Sequence, residues 1–185
     1  MIVLIVLLEI PRRSWEGARI AADAPAPLLT SRAGFDLIAA GQALAAYQIS
    51  GVVTRPVWGW LADRVMPARR LLVLQGVVMA VAAALAGQFA ADWPTWLILL
   101  TCVAAGATAN GYTGVAYGEF ARLGGARRTE ATGLGSSSMF AGVLVLPALA
   151  TAIVTTLGSY AIVYGAVAAL AAIGAAALSS NRRDS

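Results

Sequence analysis

The chain has 185 residues, 59% of them hydrophobic and only 12% charged, with a formal net charge of +4. Ordinary globular chains carry about 25% charged residues, whereas residues 131–181 carry none, which excludes a water-soluble domain because its surface must meet water. There is no histidine and one cysteine, Cys102, which excludes disulfides, zinc sites and Cys/His catalysis. All 13 basic residues are arginine. Their excess is explained by loops that anchor on the cytoplasmic side of a membrane, not by nucleic acid.

Residues 1–8 are apolar but too short to span, and Glu9, Arg12 and Arg13 follow at once. A signal peptide carries its positive charge before the apolar run. Residues 11–34 are rich in Pro, Ala and Arg without a helical or strand period. Residues 1–33 therefore read as an irregular or surface segment. Uncharged stretches at 37–54, 71–91, 93–118 and 131–181 follow. Each is near or above the roughly 18–20 apolar residues that cross a bilayer as a helix. The expected fold is an all-α integral membrane protein of about five transmembrane helices. The bundle occupies 34–180, with spans at 35–58, 70–90, 95–119, 130–156 and 159–179, and a tail at 181–185. The breaks are the charged turn from Asp63 to Arg70 with Pro67, the Asp92-Trp93-Pro94 turn, the Gly- and Arg-containing segment Leu123 to Arg128, and Leu157-Gly158-Ser159.

Arginine sets the orientation. Arg64, Arg69 and Arg70 lie in one connection, Arg122, Arg127 and Arg128 in another, and Arg182 and Arg183 in the tail. The two intervening turns, near Asp92 and Gly158, have none. The first three segments are therefore expected in the cytoplasm and the two turns outside, in the plasma (inner) membrane. Five spans with a cytoplasmic tail leave Arg12, Arg13, Arg19 and Arg32 outside, a conflict that a further preceding span resolves.

The connection after the first span reads Gly59-Trp60-Leu61-Ala62-Asp63-Arg64-Val65-Met66-Pro67-Ala68-Arg69-Arg70. It resembles the signature loop of the major facilitator superfamily, G-x-L-a-D-R-x-G-R-R. Gly59, Asp63 and Arg64 match in register, the second glycine is absent, and Arg69 and Arg70 arrive two residues late. Gly111 to Arg122, reading GYTGVAYGEFAR, looks like the G-W-N-G-V-x-x-A-E-x-A-R end of the tenth helix in many bacterial members. Glu130 to Gly133 and Gly142 to Pro147 resemble their eleventh. Members have twelve helices in two pseudo-symmetric halves. The resemblance covers about residues 35–179 and implies helices eight to twelve, the C-terminal part of a secondary transporter. It also implies a partner, either the N-terminal half absent from this chain or a second subunit.

The signature residues have a physical use. A helix N-terminus carries about half a positive charge and unsatisfied N–H groups. Asp63 docked on the start of the fourth span near Thr129 would latch two helices on the cytoplasmic side. Arg64, Arg69 and Arg70 would pair with it or with Glu119 and Glu130. The alternative is that these charges are solvated turn residues that only fix orientation.

The third span carries hydrogen-bonding groups around its circumference, which a lipid-facing helix avoids. Thr108 and Tyr112 form one stripe; Asn110, Thr113 and Tyr117 form another. Together with Tyr47 and Gln48, in the middle of the first span, these residues could form one layer around a solute near the midplane. Each could equally be glue between helices, worth about 0.6–2 kcal/mol. Ser136, Ser137 and Ser138 read as packing residues, as do Gly133, Gly135, Ala141 and Gly142. Among ionisable groups, Asp36 and Glu119 sit at span ends. Arg55 is expected about two turns below the centre of its span and to snorkel toward the cytoplasm, with Glu119 as candidate partner. No cofactor is expected.

Two function classes remain: a transporter of a small organic solute, working by alternating access, and a truncated, non-transporting membrane protein or interaction partner. An intramembrane enzyme lacks any catalytic constellation in this sequence.

Overall fold

The computed structural model describes residues 37–90, 92–157 and 159–180. The segment 1–33, Asp36 and the tail 181–185 lie outside them. Five α-helices follow in order: α1 Leu37–Arg64, α2 Ala68–Ala86, α3 Thr95–Gly124, α4 Arg128–Leu157 and α5 Tyr160–Ser180. No strand occurs among the described residues.

Local chemistry places the boundaries. Nothing in the run from Val57 to Arg64 breaks a helix, so α1 runs on to Arg64, and Arg64 sits in its last turn, where a cation complements the carbonyl dipoles. Pro67, extended at φ −54° and ψ 136°, then starts α2, and the residue before it, Met66, lies outside both helices, as the restriction before proline requires. Pro94 does the same for α3 at φ −65° and ψ 131°. The expected loop at 59–70 is thereby reduced. Gly59, Asp63 and Arg64 belong to the end of α1, and only Val65 to Pro67 turn the chain.

Three stretches of the described residues are long and apolar enough to cross a membrane: Ala68–Ala86, Thr95–Leu157 and Tyr160–Ser180. The second has 63 residues. A straight helix of that length would reach about 95 Å, roughly three times the hydrocarbon thickness. Gly125 divides it. Its φ of 52° is open to glycine at little cost, and the 3-10 turn Gly125–Arg127 reverses the chain into α4. α1 is not among the three; Gln42, Gln48 and Arg55 lower its hydropathy.

α3 is the centre of the bundle, packing on α1, α2 and α4, while α2 also packs on α5. The α1–α3 pair is the closest. Its two helices run parallel, as two hydrogen bonds with the same sequence offset of 53 show: Ser50 Oγ donates to the Val103 carbonyl and Thr54 Oγ1 to the Ala107 carbonyl. Trp58 Nε1 donates to the same Ala107 oxygen at 2.8 Å. Such contact needs small residues at the crossing. A Cβ on Gly106 would strike the Tyr47 carbonyl and Ser50 Oγ, and one on Gly51 would strike Asn110.

The core holds Tyr47, Ile98, Cys102, Tyr160 and Tyr164, mostly between alanines. Outside it the bundle is oily: Leu134 is 74% exposed and Leu144 78%. Lipid, not water, is the solvent such a surface fits. Of the small residues read as packing positions, Gly135 lies against the Phe120 ring, whereas Gly133 has open space around it. Ser136 and Ser138 hydrogen-bond to carbonyls of their own helix.

Candidate functional site

The parallel register of α1 and α3 decides where each candidate residue falls. Thr54 and Trp58 meet Ala107, and Gly51 meets Asn110. At about 100° per residue, Gln48 and Arg55 then lie together on one flank of α1. Thr113 and Tyr117 lie on the flank of α3 that borders the same groove. Arg55 Nε donates to the Asn110 backbone carbonyl at 3.2 Å, and Thr113 Oγ1 donates to that same oxygen at 3.3 Å. One carbonyl thus ties together a guanidinium and a hydroxyl at the groove. Tyr117 continues the line one turn on, its ring edge-on to Phe120 at 6.3 Å. Gln48 stands about 10 Å further out, seven residues before Arg55.

The six pathway candidates are therefore not brought into a single layer. Gln48, Thr113 and Tyr117 form a ladder along the groove. The Asn110 side chain is buried against Gly51, so Asn110 contributes its backbone oxygen to the groove. Tyr47 is fully buried in the core, and its hydroxyl has no partner. Tyr112 faces the opposite side of α3. There it lines a cavity of about 280 Å³ with Gln75, Met79 and Thr108. Both amide atoms of Gln75 are buried and unpartnered, a feature that span-counting along α2 passed over because one glutamine barely lowers its hydropathy.

The charged candidates also separate. Glu119 is buried and held by Arg122 through two hydrogen bonds of 2.7 and 2.8 Å. The suggested Arg55–Glu119 pair is not formed, because i,i+3 geometry on α3 brings Arg122 to the carboxylate first. Glu130 is bound by Arg127 in the same way. Arg69 donates through Nε and Nη2 to the Leu178 carbonyl, closing the end of α5. Arg64 and Arg70 are exposed. Asp63 is exposed and makes no ion pair among the described residues, and α1 and α4 are not packed together. The helix-terminus docking of Asp63 near Thr129 is accordingly not made within this chain.

Arg55 lies deeper in its helix than the expected span implied, because α1 continues to Arg64. The expected span ended at 58, which put Arg55 near its end. In the structure Arg55 reaches the Asn110 carbonyl, half-way along Thr95–Gly124, so its guanidinium is level with the middle of the neighbouring helix. Its seven-residue spacing from Gln48 was the available signal.

The family model described as Major Facilitator Superfamily matches residues 18–184. The chain belongs to the major facilitator superfamily. Comparison with curated proteins and with solved structures gives no match. Membership makes this an all-helical, multi-pass membrane protein of a transporter family. The match begins at residue 18, inside the segment read as irregular. In a facilitator of this type, irregular or polar groups within the membrane are tolerated where they border a cavity.

Proposed function

We propose that this chain is the C-terminal part of a facilitator that moves a small organic solute across the plasma membrane by alternating access. All five helices cross the bilayer, α1 doing so in the shelter of α3, and the C-terminus is cytoplasmic. The second bundle comes from an N-terminal half or a second subunit seated over the groove. The observation that carries this reading is the ladder of Gln48, Arg55, Thr113 and Tyr117 along one flank of two parallel helices, with Arg55 and Thr113 joined on the Asn110 carbonyl. Hydrogen-bonding groups strung along the bilayer normal serve a solute's passage, and unlike Ser50 and Thr54, whose hydroxyls bond across to α3 carbonyls, Thr113 bonds only within its own helix. Asp63, Gly59, Arg64 and Arg70, at the cytoplasmic end of α1 and the start of α2, serve as a latch to the partner bundle.

The test is the mass of the native assembly. Mild-detergent extracts of the source membranes, resolved without denaturation, should hold this chain in particles of at least about twice its 18.9 kDa, as two bundles require. A particle of monomer mass alone contradicts the reading.

A further inference from the structure

We infer that Arg55 binds the anionic group of the transported solute, so that the solute is a small organic anion; this rests on the transporter reading above. The argument begins with cost. An arginine at the centre of a membrane helix costs about 2.5–3.5 kcal/mol on insertion scales. Such residues survive where they pair, or where they face a water-filled path. Arg55 has no carboxylate partner among the described residues: Glu119 is taken by Arg122 and Glu130 by Arg127. The backbone carbonyl of Asn110 accepts from Nε alone. A guanidinium has five N–H donors in a planar fork, so the Nη groups remain for another acceptor.

The surroundings select the kind of acceptor. Nε anchored on Asn110 fixes the plane of the guanidinium. A planar, pre-set fork suits a carboxylate, which it grips through two parallel bonds. Thr113, held on the same Asn110 oxygen, keeps its hydroxyl lone pairs available to a solute donor. Gln48, two turns out on the same flank, adds an amide for a second polar group. Val52, one turn back on the same side of α1 and 63% exposed, gives this flank an apolar neighbour. A fixed cation bordering a water-filled path attracts anions and repels cations.

Three ring compounds of one size and different charge test this: benzoate, benzamide and benzylammonium. Binding of each to the complete native assembly in phosphatidylcholine nanodiscs is read by saturation-transfer NMR of the ring protons. Benzoate should bind saturably and benzylammonium should not. Arg55→Gln should weaken benzoate by about tenfold or more, the loss of a charge-assisted hydrogen bond, with benzamide changed little. Arg55→Lys, which keeps the charge without the fork, should fall between. Unchanged helical circular dichroism in both variants separates this from misfolding. Benzoate binding untouched by Arg55→Gln overturns the assignment. So does binding of benzamide alone, lost in Gln48→Leu, although that outcome keeps the solute groove. If none of the three binds, the groove is not a solute site and the anion assignment falls with it.

Discussion

Arg55 and Asn110 meet across the α1–α3 interface, the guanidinium Nε donating to the backbone carbonyl at 3.2 Å. This bond levels α1 against the middle of α3 and turns a cation into the groove. It also assigns Arg55 a cost to the fold, since its charge is matched by no carboxylate within the described chain.

Arg55→Leu should therefore insert more readily and function less. On insertion scales leucine contributes about −0.6 to −0.3 and arginine about +2.5 to +3.5 kcal/mol at the helix centre. Inserted in a glycosylation-tagged host, the α1 segment with leucine should shift toward the inserted form by about 3 kcal/mol. Transport by the complete assembly should be lost. Equal insertion of the two segments contradicts the placement of Arg55 at membrane depth.

The α1–α3 contact depends on glycine at Gly106 and Gly51. Gly106→Leu should lower resistance to unfolding by at least about 1–3 kcal/mol, the cost of overpacking, because the backbone carbonyl of Tyr47 stands in the way. Gly114→Ala, with open space around it, should not lower stability and should gain up to about 1 kcal/mol from helix propensity. Steric-trapping unfolding in bilayer mimics measures both. Equal effects would mean that the two helices are not in this register.

Gln75→Leu should leave stability equal or raise it by about 1–3 kcal/mol, because it removes a buried amide whose donor and acceptor are both unmet. The same unfolding measurement decides. A clear loss of stability would show that the amide has an acceptor and donor in the membrane.

Arg69 and Asp63, neighbours at one end of the bundle, should behave differently. Arg69→Ala releases the Leu178 carbonyl, so amide hydrogen exchange over the last turn of α5 should accelerate while α1 is unchanged. Asp63→Ala touches no ion pair in the described chain, and should leave insertion and exchange unchanged yet alter transport in the complete assembly. If Asp63→Ala instead blocks insertion, its role is in folding.

How much of this was legible in the sequence follows from what each signal measures. Long uncharged runs reveal helices in lipid, and Pro67, Pro94 and Gly125 punctuate them, so the helical bundle could be read directly. Periodicity placed Asn110, Thr113 and Tyr117 on one stripe of α3, but the Asn110 side chain is buried against Gly51 of α1. Periodicity could not give the register between α1 and α3, which is set by Gly51, Gly106 and the Thr54–Ala107 bond across 53 positions. Without register, Tyr47, Gln48 and Asn110 looked level, and Arg55 looked peripheral. Nor does composition say which of two neighbouring arginines a carboxylate takes; the i,i+3 spacing of Glu119 and Arg122 does.

The most direct measurement is cysteine accessibility along the groove. With Cys102→Ala as background, which leaves no other thiol in the chain, single cysteines at Gln48, Thr113 and Tyr117 are treated with a membrane-impermeant thiosulfonate in native membranes. Cysteines at Tyr47 and Asn110, both buried, and at lipid-facing Leu144 serve as comparison. The transporter account predicts that the three groove positions react and the three comparison positions do not. Silence at all three groove positions, matching Leu144, would place that flank in lipid and contradict an aqueous solute path between α1 and α3.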